Sequence, residues 1–265
     1  FIYSRYANPT VMMFEERMKL LEGAEAARAM ASGMAAVSAS LLCFLKAGDH
    51  VVAAKALFGS CLYVVQDLLP RYGIQSTLVD GRDVEAWRAA RRPNTRAFFF
   101  ETPSNPCLDL VDIRAVSDLA HDAGALVVVD NVFATPMYQR PMELGADIVV
   151  YSATKHIDGQ GRCLGGIVLG PEKWVTEHLH PFYKHTGGAL SPFNAWVMLK
   201  GLETLGIRVR AQTETATRLA EHLMSRRPDG LQRVLYPGRE DHPQSALAKR
   251  QMKAGSTLVS FEVEG

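Results

Sequence analysis

Short apolar runs alternate along the chain with longer stretches of helical texture. His50–Ala54, Ile74–Val79, Ala97–Glu101, Ala125–Asp130, Asp147–Tyr151 and Gly166–Leu169 are compact, and most are rich in β-branched or aromatic residues. Their polarity is continuous rather than alternating, which predicts strands buried on both faces. Between them, Ser60–Leu69, Val84–Ala90 and Ile113–Ala123 read as helices. Strands taken in turn with helices predict an α/β fold, with a mostly parallel sheet and helices on both faces.

The ends of the chain have a different texture. Phe1–Pro9 is polar and aromatic without a period and reads as an extended arm, residues 1–10. Asn8-Pro9 then looks like a helix cap followed by proline at the first helical position. A helix over Val11–Leu21 follows, with Phe14, Met18 and Leu21 on one stripe and Gly23 as its stop. Ser32-Gly33 opens a second helix over Met34–Leu45. Residues 11–193 form the large unit on this reading. Residues 194–265 hold a long amphipathic helix over Asn194–Leu223, or a kinked pair with Gly201 and Gly206 as its breaks, and the start of a second α+β unit.

Composition narrows the function. A formal net charge of +1 removes the basic face that a nucleic-acid partner needs. No apolar run approaches the roughly 20 residues that span a bilayer. The four cysteines, Cys43, Cys61, Cys107 and Cys163, include no CxxC pair. They read as free thiols of a reducing, cytoplasmic compartment, and no metal site is expected from their spacing. The HxH pair His178/His180 reads as surface histidines. A nicotinamide enzyme would carry GxGxxG after the first strand, and none is present.

The chemistry gathers where the apolar runs end. ALVVVD releases Asp130, and VVYSATKH releases Ser152, Thr154 and Lys155. In open α/β sheets that edge is where ligands bind. A lysine amine for an aldehyde, an acid for a ring nitrogen and hydroxyls for a phosphate together describe a pyridoxal phosphate (PLP) site. An ionised Asp130 beside the ring nitrogen would keep it protonated. Ser32-Gly33 exposes backbone N–H groups at a helix start, so Ser32, Gly33 and Met34 are candidate phosphate donors beside Ser152 and Thr154. Phe58 could stack on the ring, and Asn105 could bond its phenolic oxygen.

YSRYANPT, ASGMAA, ETPSNP, VVVDN and VVYSATKHIDG resemble, in order and along the whole chain, the Cys/Met-metabolism family of PLP enzymes. The resemblance implies the aspartate-aminotransferase-like (type I) fold. It implies Lys155 as the Schiff-base lysine and Asp130 as the pyridinium partner. It also implies Tyr3 and Arg5 as arm residues that reach the phosphate of a neighbouring subunit, and hence a homodimer or homotetramer with shared sites.

Within the family, FGSC, HIDGQGRCLGG and KHTGGALSPFNAW look closest to the O-succinylhomoserine sulfhydrylases. That implies γ-replacement on O-succinylhomoserine by sulfide, giving homocysteine and succinate in methionine biosynthesis and trans-sulfuration. The rival readings are a cystathionine γ-synthase using cysteine, a γ-lyase, and a non-catalytic chain that keeps the fold for assembly or binding. Phe58 stands where the family usually has tyrosine, which speaks against a lyase. The family's arginine for the substrate carboxylate is expected beyond Gly265, so the chain reads as part of a longer protein.

Overall fold

The computed structural model describes residues 2–264; Phe1 and Gly265, the extremes of the arm and of the C-terminal segment, lie outside the described residues. Helix α1, Pro9–Glu22, starts as expected: the Asn8 side chain accepts from the N–H groups of Thr10 and Val11, and Gly23 closes it in the left-handed conformation. Helix α2 is Gly33–Leu42, capped by the Ser32 hydroxyl on Ala35 N–H, and it ends one turn earlier than its apolar texture suggests.

Strand β1 is Ala26–Met30, β2 is His50–Ala54, and β3 is Gln75–Val79. The series continues with β4, Thr95–Glu101, β5, Leu126–Asp130, β6, Ile148–Ser152, and β7, Gly166–Gly170. They form one sheet in the order β1-β7-β6-β5-β4-β2-β3. β2 to β6 run parallel, while β7 and β1 add antiparallel strands at one side.

Successive strand residues point to opposite faces, and two cores result. Val52, Phe98, Phe100, Val127, Val149 and Tyr151 face α1, the helix Ile113–Asp122 and the first half of a long helix. Val51, Phe99, Val128, Val150 and Val168 face α2 and the helical runs 59–71 and 172–186. Both of those runs widen into a π-turn, at Val64–Leu68 and Val175–Leu179, just before Pro70 and Pro181. The wider turn absorbs the donor that proline lacks, so the first run continues past the expected stop at Leu69.

The long helix is continuous over Pro192–Arg226, so the single-helix reading holds and neither Gly201 nor Gly206 breaks it. A Cβ on Gly201 would run into the carbonyl oxygen of Ile157. This glycine lets the helix lie against a loop; it does not end it. After the helix, β8 (Leu231–Leu235) and β9 (Ser260–Val263) pair antiparallel. Val234 and Tyr236 pack there on Ala216 and Ala220 of the long helix. Among the described residues no helix is long and apolar enough to cross a membrane.

Candidate functional site

Three neighbouring parallel strands end in polar residues: β4 in Glu101, β5 in Asp130 and β6 in Ser152. Glu101 lies opposite Asp130 in the register. By strand parity Glu101, Asp130 and Ser152 all project to the α2 side of the sheet, in step with Phe99, Val128 and Val150. There they line a pocket of about 240 Å³ together with Ser32, Gly33, Met34, Phe58, Asn105, Thr154 and Lys155. Nine of the residues singled out in the sequence therefore converge on one cavity.

Small residues allow the approach of α2. A Cβ on Gly33 would stand 2.6 Å from Ser152 Cβ, and one on Gly166 would overlap the carbonyl oxygen of Ser32. The N-terminus of α2 is thereby pressed against the end of β6 and the start of β7. Thr154 is pinned beside it: Gly165 N–H donates to Thr154 Oγ1 at 3.2 Å, and Thr154 N–H donates to the Gly165 carbonyl at 3.3 Å.

The segment carrying Lys155 is a run of turns held from several sides. Lys155 N–H donates to the Ser152 carbonyl at 3.2 Å, and Gly159 N–H to the Lys155 carbonyl at 2.7 Å. Arg208 of the long helix donates to the His156 carbonyl at 2.9 Å. The His156 ring bonds the Val132 carbonyl at 3.2 Å through Nδ1 and Thr257 Oγ1 at 2.7 Å through Nε2. A carbonyl only accepts, so Nδ1 carries the hydrogen and Nε2 accepts from threonine. Burial pushes the His156 pKa down, in keeping with this neutral ring. Burial works against the charge of Asp158, but the backbone N–H and guanidinium of Arg162 outweigh it and hold that carboxyl below the usual range.

Asp130 is 7 % exposed. Its Oδ1 accepts Val132 N–H at 3.1 Å, and Oδ2 has no hydrogen-bond partner among the described residues. Burial pushes its carboxyl up, against the pull of Val132 N–H and of the Lys155 charge. Cys61 also borders the pocket but is 1 % exposed, and burial pushes its thiol up, so it stands as a neutral apolar wall.

Tyr3 and Arg5 lie away from this pocket in the chain. The Arg5 guanidinium sits 5.0 Å from the Tyr3 ring centre and 4.9 Å from that of Tyr6, and it donates to the Lys184 carbonyl. His178 is exposed as expected. His180 is half-buried and accepts from Arg28 Nε at 3.2 Å, so it is not simply a surface histidine. Among the described residues no three His, Cys, Asp or Glu side chains gather as metal ligands.

The residue missed in the sequence is Glu101. Its signal was the one that marked Asp130: RAFFFE ends in an acid as ALVVVD does, one strand away.

Residues 1–265 match the family described as Cys/Met metabolism PLP-dependent enzyme. The chain is 55 % identical over 264 residues to an O-succinylhomoserine sulfhydrylase of Mycobacterium tuberculosis strain H37Rv, covering 100 % of this chain and 64 % of that protein. It is 50 % identical over 264 residues to an O-succinylhomoserine sulfhydrylase of Pseudomonas aeruginosa, covering 100 % of this chain and 65 % of that protein. Among solved structures, the crystal structure of metB from Corynebacterium glutamicum superposes with a TM-score of 0.97 at 37 % identity, over 100 % of this chain and 68 % of that one. The chain thus spans somewhat under two thirds of the length of the two sulfhydrylases.

Proposed function

The chain belongs to the Cys/Met metabolism PLP-dependent enzyme family, and from that premise we propose that the whole protein replaces the γ-substituent of O-succinylhomoserine with sulfide. The products are homocysteine and succinate, as in methionine biosynthesis. The observation that carries the reading is the identity of 55 % across the entire chain with a protein of that name. The free thiols fit a cytoplasmic setting.

The pocket suits the cofactor on its own chemistry. Asp130 presents an unpartnered carboxylate oxygen to the cavity, which asks for a cation such as a protonated ring nitrogen. Gly33 and Gly166 leave a cradle that any Cβ would fill, bordered by the hydroxyls of Ser32, Ser152 and Thr154. On this reading Lys155 holds PLP through its ε-amine and Asp130 stands at the ring nitrogen. Ser32, Ser152 and Thr154, with the N–H groups of Gly33 and Met34, hold the phosphate. Phe58 covers a ring face, and Asn105 donates to the ring oxygen. Tyr3 and Arg5 serve the phosphate of a neighbouring subunit, in a homodimer or homotetramer.

When bound, the cofactor supplies an electron sink for charge that develops next to the amino-acid nitrogen. Lys155, as a free amine, takes a proton from Cα and then one from Cβ as succinate leaves, and returns them to Cβ and Cα once sulfide has added. Overall the Cγ–O bond to succinate breaks and a Cγ–S bond to hydrosulfide forms. The test is a product assay on the whole protein with PLP, O-succinylhomoserine, sulfide and cysteine in competition. Mostly homocysteine, lost in Lys155→Ala, supports the reading. Mostly cystathionine, or only 2-oxobutyrate, overturns the choice of nucleophile or of replacement.

A further inference from the structure

Glu101 has no part in the assignments above, yet it is 1 % exposed and lines the same cavity. Its two carboxyl oxygens serve two different loops. Oε2 accepts the N–H of Phe58 at 3.0 Å, and Oε1 accepts the N–H of Asn105 at 3.1 Å. Neither N–H has another acceptor among the described residues. One side chain at the end of β4 therefore ties the loop after β2 to the loop after its own strand. Those loops carry the two residues assigned to a ring face and to the ring oxygen.

We propose that Glu101 is a positioning residue that sets Phe58 and Asn105 against the cofactor ring by holding both of their backbone N–H groups; this rests on the PLP reading of the pocket. The residue type fits the task. Both oxygens of a carboxyl group accept hydrogen bonds, whereas the isosteric amide of glutamine offers one acceptor and turns donors toward the second N–H. The location is costly. Burial, with the Asp130 charge beside it, pushes the Glu101 carboxyl above its usual range, and the Phe58 and Asn105 N–H groups pull it back. Phe58 itself is 47 % exposed and starts the helical run 59–71 without a side-chain cap. Its backbone is held from two sides, by Glu101 at the N–H and by the first helical turn at the carbonyl, which accepts from Leu62 N–H at 2.9 Å.

The test is PLP titration of the whole protein after removal of bound cofactor, followed by absorbance and by the induced circular dichroism of the cofactor band. Glu101→Gln leaves one N–H unpaired, so its PLP Kd is expected to weaken ~10-fold, with a changed dichroic band. In a Phe58→Ala/Asn105→Ala background there is no ring or amide left to position, and the same substitution is expected to change Kd less than about 2-fold. Should Glu101→Ala fail to fold, Glu101→Gln keeps the volume and carries the test. Unchanged affinity in Glu101→Gln, or a loss that persists in full in the double-alanine background, overturns the assignment while the cofactor reading stands. A wild-type protein that takes up no PLP overturns both.

Discussion

The hydroxyl of Tyr151 donates to the carboxyl of Glu22 behind the sheet, on the face opposite the pocket. Asn131, the residue after Asp130, donates to the same hydroxyl at 2.6 Å, and Gln139 donates to Asn131 at 2.8 Å. The end of β5 is thereby braced against α1 through a buried polar chain. Glu22 is 0 % exposed and its Oε1 has no partner among the described residues. Burial pushes its pKa up from 4.5 to about 8, against the Tyr151 hydrogen bond.

That shift has a sign. In the folded chain Glu22 keeps its proton up to about pH 8, while in the unfolded chain it releases it in the ordinary range. Stability is therefore fullest below pH 4.5 as far as this group is concerned, and it is lost as pH rises toward 8, by at most about 1.4 kcal/mol per pH unit. Glu15, raised to about 7 by burial, acts in the same sense at lower pH. Glu22→Gln should remove its share of the slope, most visibly between pH 7 and 8. Denaturant unfolding of the cofactor-free protein from pH 5 to 8.5 checks this, and an unaltered slope would count against the buried proton.

The cradle glycines make a second prediction. Alanine at 33 or 166 would press a methyl into Ser152 or into the Ser32 backbone. Overpacking of this kind costs about 1–3 kcal/mol. Both variants should melt lower than wild type, and both should bind PLP more weakly because the start of α2 is displaced. Wild-type melting temperature and PLP affinity in Gly166→Ala would mean that the close approach is not needed.

Two glycines in the long helix should respond with opposite signs. Alanine favours a helix interior over glycine by about 1 kcal/mol. At Gly206 the new methyl would meet only the flexible ends of Met137 and Arg210, 3.4 and 3.5 Å away, so Gly206→Ala should stabilise. At Gly201 it would strike the Ile157 backbone in the loop that follows Lys155, so Gly201→Ala should destabilise in spite of propensity. Melting curves of the two variants decide it; a shift of the same sign in both would contradict the packing described.

Much of this was legible in the sequence because strands buried on both faces announce themselves as apolar runs. The polar residues that end them, Asp130 and Ser152, then mark the ligand edge. β1 escaped for a physical reason. Ala26–Met30 reads AARAM, residues that favour helices, and pairing with β7 alone makes it a strand. The role of Gly201 was hidden as well, since a glycine within a helix looks the same in sequence whether it breaks the helix or admits a neighbour. Glu101 ended an apolar run as plainly as Asp130 did. Its partners' N–H groups, one of them at Phe58, became visible only when the loops closed over it. Tyr3 and Arg5 owe their assignment to family resemblance, because nothing in an aromatic, basic arm specifies a phosphate.

On the proposed reading, the pocket at the ends of β4, β5 and β6 holds PLP on Lys155. Borohydride reduction of the whole protein with PLP, followed by peptide mass mapping, tests it most directly. One phosphopyridoxyl group per chain is expected, on the peptide that contains Lys155 and absent in Lys155→Ala. A label on another lysine, or no label with the protein folded, would contradict it.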